Sequence, residues 1–212
     1  MRYNDTFIIA KDGLKCIAAS ATLFIIMWAI DADVLSVLSF ILLLLTLWVY
    51  RNPERAQPYH QENSIVSVCD GTVKSIETVE DEEGNTRYNV SIASSFLDAS
   101  ILRVPFMCDV HESNVVSGAR LSASSPLAKR LNEKSLVVFG EGEKQVVVMH
   151  TLHLASIGII NRLTTGNRVV QGTRYGLMVK GESIIALPPE SRVAIKVGQK
   201  VRAGETLVGF FS

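Results

Sequence analysis

The stretch GNRVVQGTRYGLMVKGESIIALPP, from Gly166 to Pro189, decides the fold. Its glycines recur every four to six residues, valine, isoleucine or leucine occurs in most of the intervals, and a proline pair ends it. Short apolar runs bounded by glycine and proline are typical of β-strands, since glycine supplies the backbone freedom that a tight turn needs. The stretch therefore predicts successive strands joined by short turns.

The same pattern extends over the chain from Ile65 onward. Its β-like runs are SIVSV, TVKSIETV, YNVSI, KQVVVMH, SIIAL and RVAIKV. The best helical candidate is SPLAKRLNEK, Ser125 to Lys134, with Ser125 as N-cap and Pro126 at the first helical position. Residues 56–212 are therefore predicted to form one mostly β, antiparallel domain. The glycines expected in or beside its turns are Gly118, Gly166, Gly172, Gly176, Gly198 and Gly204.

A glycine-valine spacing occurs twice in this region. GNRVVQG (Gly166 to Gly172) and GQKVRAG (Gly198 to Gly204) share the form G-x-x-V-x-x-G, a turn followed by a strand entry. The half-barrels of biotinyl and lipoyl carriers contain this feature, so a carrier or adaptor of that type is one interpretation. A carrier also needs a lysine at the tip of a hairpin between its two halves, and the sequence offers none at that place.

The first fifty residues differ from the rest and predict a membrane hairpin within residues 1–55. Leu14 to Ile30 and Val34 to Tyr50 are apolar runs of 17 residues each, separated by Asp31-Ala-Asp33. A helix of that length measures about 26 Å, near the lower limit for a hydrocarbon core of about 30 Å. Two thin spans and a re-entrant hairpin both fit this length.

The basic residues set the expected orientation of the hairpin. Lysines and arginines precede the first run and follow the second, whereas the turn between the runs carries only aspartates. By the positive-inside rule both ends face the cytoplasm, and so does the domain that follows. Arg51 and Arg55 in YRNPER are predicted to contact lipid headgroups.

The composition excludes several classes of function. Lys+Arg and Asp+Glu balance at 21 each, so no global field attracts nucleic acid. The three cysteines have no C-x-x-C spacing, which argues against a disulfide framework and against a zinc site. No metal is expected.

Several separate motifs share one resemblance. They are CDGTV (Cys69 to Val73) against P-x-D-G-x-V, SIASSFLDASILRVP (Ser91 to Pro105) against S-I-F-M-S-P-L-D-V-H-V-N-R-x-P, NEK (Asn132 to Lys134) against N-E-R, and GNRVVQGTRYG (Gly166 to Gly176) against G-x-x-V-x-x-G-E-R-Y-G. In this order, after a hairpin ending in YRNPER, they make the chain resemble the short bacterial type of phosphatidylserine decarboxylase. The resemblance implies the bacterial inner membrane, a phospholipid partner and a homodimer.

The family's chemistry depends on a prosthetic group made from its own chain. A serine after glycine attacks the glycine carbonyl, the ester eliminates, and the new terminus becomes a pyruvoyl group that forms a Schiff base with the lipid amine. An aspartate and a histidine serve the proton transfers. An arginine pair is expected near the anionic substrate.

Only part of this machinery carries over to the sequence. The aspartate is present as Asp70, but the histidine position is Ser100 and the serine position is Glu182. The arginine pair falls at Ile157 and Gly158. A carboxylate side chain cannot undergo the elimination that makes a pyruvoyl group. Ser183 lies one residue after the serine position, and the alternation of side chains along a strand should turn its hydroxyl to the opposite face.

The three histidines nearest these motifs are interpreted without a catalytic role. His111 is read as an ordinary surface histidine, and His150 and His153 as satisfied or exposed residues whose side chains point to opposite faces.

Three hypotheses follow from these observations. The first is a non-catalytic homologue, without a cofactor, that binds phospholipid or a true decarboxylase partner. The second is an active decarboxylase that self-cleaves at Ser183 to make a pyruvoyl group, with Asp70 and His111 as helpers. The third is the biotinyl or lipoyl type of carrier.

Overall fold

A computed structural model describes residues 9–55, 63–80 and 86–211. The described chain divides into two compact units, with the boundary in the sequence between Glu54 and Arg55. The first contains a single 3₁₀ turn, Lys11–Gly13, and helices α1, Leu14–Ala29, and α2, Asp33–Val49. The rings of Phe24 and Phe40 pack 5.3 Å apart between these helices. The segment Lys11–Ala29 is long and apolar enough to cross a membrane, with a mean hydropathy of 1.4, and α2 is shorter.

The second unit is built from strands and one short helix. The elements are β1 Ser64–Val66, β2 Gly71–Glu80, β3 Thr86–Ser94, β4 Ile101–Arg103, β5 Cys108–Val116, α3 Ala128–Leu131, β6 Lys134–Phe139, β7 Val146–Thr151, β8 Ile159–Asn161, β9 Arg168–Val169, β10 Arg174–Met178, β11 Gly181–Leu187, β12 Arg192–Val193, β13 Lys200–Val201 and β14 Leu207–Phe210. A 3₁₀ turn, Gly142–Lys144, precedes β7.

These strands form three sheets. The largest is a curled half-barrel of eight strands in the order β13-β2-β3-β11-β7-β6-β5-β9, and the others are β1-β14-β12 and β4-β10-β8. Every pairing between the named strands is antiparallel. The predicted fold class, a mostly β antiparallel domain after an α-helical hairpin, is confirmed.

Strand β11 lies near the middle of the large sheet, hydrogen-bonded to β3 on one side and β7 on the other. Its residues alternate between buried and half-buried positions from Gly181 to Leu187. Ser183, Ile185 and Leu187 enter the core, where they meet apolar residues of neighbouring strands such as Ile92 and Val148. Because side chains alternate along a strand, Glu182 faces away from this core.

The turn before β11 ends on a non-glycine residue in the left-handed region. Lys180 has φ 58°, a conformation that costs an L-residue about 1 kcal/mol. Its ammonium lies 5.2 Å from the centroid of the Phe96 ring, a cation–π contact that helps to hold it there. The conformation of Lys180 sets the point at which β11 begins, and therefore which residues of β11 face inward.

Four of the predicted turn glycines have the expected backbone. Gly166, Gly172, Gly198 and Gly204 have φ between 74° and 84°, so both G-x-x-V-x-x-G repeats begin and end on left-handed glycines. Gly176 was predicted in or beside a turn and instead lies inside β10. A Cβ there would collide with the carbonyl oxygen of Ile160 on β8. Glycine is therefore needed at this position for close strand approach.

The predicted helix from Ser125 to Lys134 is wrong in its length. Helix α3 spans only four residues, and its N-cap is Leu127 rather than Ser125. The helix ends early because backbone groups at its C-terminal end bond to Ala119 instead of continuing the helix. The Ala119 N–H donates to the Leu131 carbonyl, and the Glu133 N–H donates to the Ala119 carbonyl. These bonds draw the segment into β6.

Gly176→Ala should destabilise the β unit by about 1–3 kcal/mol, the usual cost of overpacking a tight site. Gly158→Ala is the matched control, since a Cβ at Gly158 meets nothing within 4 Å and its φ lies outside the left-handed region. Thermal unfolding followed by the β circular dichroism signal should show a lower melting temperature for the first variant only. Equal melting temperatures would contradict the close approach of β10 and β8.

Candidate functional site

A pocket of about 410 Å³ opens on the outer face of β11 and its neighbours. Its size lies in the range of small-molecule sites. Strands β2, β3, β7 and β11 supply its floor, and α3 supplies one wall. Its polar and charged lining includes Ser75, Glu77, Ser91, Lys129, His153 and Glu182.

The carboxylate of Glu182 is the most heavily bonded group in this pocket. Ser91 donates its hydroxyl to one oxygen at 2.5 Å, and His153 Nε2 lies 3.1 Å from the other. Lys74 Nζ lies 3.8 Å from the oxygen that Ser91 contacts. Burial alone would raise the pKa of Glu182, but these hydrogen bonds and charges outweigh it and hold the pKa below its usual value. Glu182 is therefore ionised at neutral pH.

Asn132 fixes the orientation of His153. Its side-chain oxygen accepts from the Leu121 N–H at 2.8 Å and its amide nitrogen donates to the Leu121 carbonyl at 3.0 Å, which settles the two ends of the amide. The same nitrogen lies 3.2 Å from His153 Nδ1. Because an amide NH₂ only donates, Nδ1 is an acceptor and the ring proton is on Nε2, directed at Glu182. The Asn132 amide thus keeps the His153 ring aimed at the Glu182 carboxylate.

A second polar cluster lies on the opposite, inner face of β11. Ser183 Oγ is 2.7 Å from His150 Nδ1, and His150 Nε2 is 2.5 Å from the Tyr175 hydroxyl. Cys69 lies beside this cluster, where the Ser183 hydroxyl partly offsets the effect of burial on the pKa of its thiol. Ser183 and His150 have no solvent exposure. His150, interpreted from sequence as satisfied or exposed, is therefore buried and satisfied.

Burial keeps this inner cluster uncharged. It lowers the pKa of His150 to about 3 and raises the pKa of Cys69 to about 11. It also raises the pKa of Tyr175 well above its ordinary value. Neutral groups that satisfy one another are the usual solution for polar side chains in a core.

Asp70, the family's aspartate, is held in a network of its own. Its carboxylate accepts from the Ala203 N–H at 2.8 Å and from Arg55 Nη2 at 2.6 Å, and Arg55 Nη1 also contacts Glu205 at 3.1 Å. The side chains of Asp70 and Arg55 are both only 10% exposed. The Arg55 guanidinium thus pairs with two carboxylates inside the β unit, and its contact with lipid headgroups stays a prediction. Arg51 lies over the Trp48 ring at 4.3 Å, and its headgroup contact stays a prediction.

The remaining predicted positions are scattered around the β unit. Ser100, at the histidine position, is buried, and its carbonyl accepts from the Met178 N–H at 2.8 Å. Ile157, at the first arginine position, is half exposed. His111 is exposed and lies 3.1 Å from Glu141, which agrees with the interpretation of a surface histidine.

The contacts of Glu182 could not be read from the sequence. Ser91 and Lys74 reach Glu182 from β3 and β2, and His153 reaches it from just beyond β7. The pairing of Ser183 with His150 is a cross-strand neighbour relation between β11 and β7. The only available signal was the alternation of polar residues along these strands, which gives the face of each residue but not its partner.

The comparison with known proteins agrees with the motifs and the fold. The sequence model of the family described as phosphatidylserine decarboxylase matches residues 42–209. A phosphatidylserine decarboxylase proenzyme of Symbiobacterium thermophilum is 30% identical over 95% of both chains. Proenzymes of the same name from Geobacter sp. (strain M21) and Geobacter sulfurreducens are each 31% identical, over at least 97% of both chains.

The chain belongs to the phosphatidylserine decarboxylase family. This family depends on a pyruvoyl group formed from a serine. The residues of this pocket do not fit that group, because Glu182 has no β-hydroxyl to form the ester and no leaving group for the elimination. Ser183 has the hydroxyl, but it points into the closed core and away from the pocket.

His150 should make the β unit sensitive to acid. Its pKa falls from its ordinary 6.5 to about 3 on folding, so between these values the unfolded chain binds a proton that the folded chain does not. Stability should therefore fall as the pH drops from 6.5 towards 3, with a slope approaching about 1.4 kcal/mol per pH unit. His150→Gln removes the titration, so its denaturant midpoint should change less over this window. His111→Gln should behave as the parent, and a parent curve as flat as that of His150→Gln would refute the assignment.

Proposed function

We propose that this chain is a non-catalytic member of the phosphatidylserine decarboxylase family that forms no pyruvoyl group and binds the amine-bearing headgroup of a phospholipid. The observation that carries the proposal is the ionised Glu182 carboxylate at the family's serine position, facing the pocket. A carboxylate there replaces a covalent bond to the lipid amine by an ion pair with the protonated amine. The family's ligand is kept and its reaction is lost.

The charges of the pocket suit a zwitterionic headgroup. Glu182 and Glu77 offer two carboxylates to an ammonium group, and Lys129 offers a cation to the phosphate. Lys74 supports this reading, since its exposed primary ammonium already lies 3.8 Å from Glu182 and is easily displaced. Charge-assisted hydrogen bonds of this kind are among the strong polar contacts in proteins.

The apolar hairpin supports a membrane location for this function. We place the chain in a bacterial inner membrane with the β unit on the cytoplasmic side, as the basic residues around the hairpin predict. A homodimer, or a complex with an active decarboxylase, is part of the same proposal.

The Ser183–His150 pair favours a second candidate, self-cleavage at Ser183. A hydroxyl 2.7 Å from an imidazole, with Tyr175 on the other ring nitrogen, has the arrangement of an activated nucleophile. It ranks second because β11 is hydrogen-bonded on both sides at this point and Ser183 is inaccessible to a lipid amine. His111, the other suggested helper, is paired with Glu141.

The purified chain should keep its full length. Intact-mass spectrometry should give one species of unmodified mass, and Ser183→Ala should give the same result, because no bond breaks before residue 183. Glu182→Ser alone should release no carbon dioxide from phosphatidylserine, since groups that act as a unit fail when any one is absent. A fragment beginning with a pyruvoyl group at position 183, absent from Ser183→Ala, would establish the second candidate.

Headgroup binding should depend on the Glu182 charge. The unaltered protein should bind glycerophosphoethanolamine more tightly than glycerophosphoglycerol, which has no amine. Glu182→Gln should lower the affinity for glycerophosphoethanolamine by about tenfold to a hundredfold. Calorimetric titration measures both constants. Glu141→Gln removes an exposed carboxylate that pairs with His111, and it should bind as the parent does. Equal affinity for the two ligands would remove the proposed function.

A further inference from the structure

We propose that the mouth of the pocket is surrounded by a surface that inserts into an anionic lipid bilayer, independently of the hairpin. This surface, the apolar rim, consists of Leu127, Leu131, Leu154 and Ile157. Their exposed fractions are 51%, 51%, 63% and 50%. The proposal rests on the proposed function only in that the pocket ligand is a lipid headgroup.

Backbone and side-chain bonds bring the two parts of the rim together. Leu127 and Leu131 lie four residues apart at α3, on the same face of that turn. The segment 119–121 joins α3 to the loop that carries Leu154 and Ile157. Its bonds are Ala119 N–H to the Leu131 carbonyl at 2.7 Å, Leu154 N–H to the Leu121 carbonyl at 3.2 Å, and Arg120 to the carbonyls of Ser156 at 2.9 Å and Ile157 at 2.8 Å.

Three of the four rim residues lie within two positions in the sequence of a residue that lines the pocket. Ala128 and Lys129 line the pocket and lie between Leu127 and Leu131 in the chain, and His153 lines it immediately before Leu154. A headgroup in the pocket would thus be surrounded by aliphatic side chains of the size that acyl chains contact. Exposed aliphatic residues grouped around a binding pocket are typical of interaction surfaces.

The charge of the rim segments selects a bilayer as the partner. Residues 117–134 carry four basic side chains, Arg120, Lys129, Arg130 and Lys134, and one acidic side chain, Glu133, which pairs with Arg120 at 3.1 Å. The loop 152–158 has no carboxylate side chain. Apolar residues flanked by lysine and arginine fit the boundary between acyl chains and anionic headgroups. A chain anchored by its hairpin needs only weak extra affinity to place this surface.

Tryptophan fluorescence tests the insertion in the full chain. Both tryptophans, Trp28 and Trp48, lie in the hairpin, so replacing both by phenylalanine leaves no tryptophan signal. Leu154→Trp in that background reports on the rim. Val197→Trp is the matched control, because Val197 is 61% exposed but lies in the turn before β13.

In vesicles of phosphatidylglycerol and phosphatidylcholine with brominated acyl chains, the Leu154→Trp emission should shift to the blue and lose most of its intensity. The Val197→Trp emission should do neither. Arg130→Glu should weaken the quenching, because the loss of one basic charge lowers the apparent lipid affinity by about fivefold. Added salt should weaken the quenching as well. Ile157→Asp should reduce quenching while glycerophosphoethanolamine binding persists.

Two results would overturn the insertion surface. One is equal quenching of the two reporters, and the other is a blue shift of Leu154→Trp in detergent without lipid that grows with protein concentration, which would assign the rim to a protein partner. If the unaltered chain does not bind glycerophosphoethanolamine but the Leu154→Trp emission is quenched, the proposed function is removed and the insertion surface stays in place.

Discussion

The alternation of side chains along β11 is the constraint on which the rest of the site depends. Because β3 and β7 hydrogen-bond to β11 on its two sides, the register of β11 is fixed. No residue of β11 can therefore move from one face of the sheet to the other. Glu182 therefore belongs to the pocket and Ser183 to the core. The chemistry open to each residue follows from its face: an ionised carboxylate among polar groups on one side, and a neutral hydroxyl among neutral partners on the other.

The two faces also solve the problem of buried polarity in different ways. The inner cluster avoids charge, and its members bond to one another within the sheet and to Tyr175 on β10. The pocket keeps a charge and stabilises it with Ser91, His153 and Lys74 near solvent. Asn132 connects the pocket to the loop at residue 121, so the orientation of His153 depends on a segment distant in sequence.

Local pattern was enough to predict the fold and the face of each residue, but it could not give the partners. Short β-branched runs and the glycine spacing identified the strands, and the left-handed φ of Gly166 and Gly204 accounts for the turns. Gly176 was misplaced because its need for close approach comes from β8, a strand that no local signal connects to it. Helix α3 was overextended for the same reason, since the bonds to Ala119 end it. The ion pairs of Arg55 with Asp70 and Glu205 join residues far apart in the sequence, so no local pattern predicts them.

The left-handed turn at Lys180 lies directly before the strand that carries Glu182 and Ser183. The point at which β11 begins sets the phase of every residue after it, so the loss of one residue in this turn would exchange the two faces of the strand. Ser183 would then enter the pocket, and Glu182 would have to be buried without a partner. Under the proposed function, a hydroxyl on the pocket face of β11 is therefore reached by substitution of Glu182 rather than by a shift of the strand.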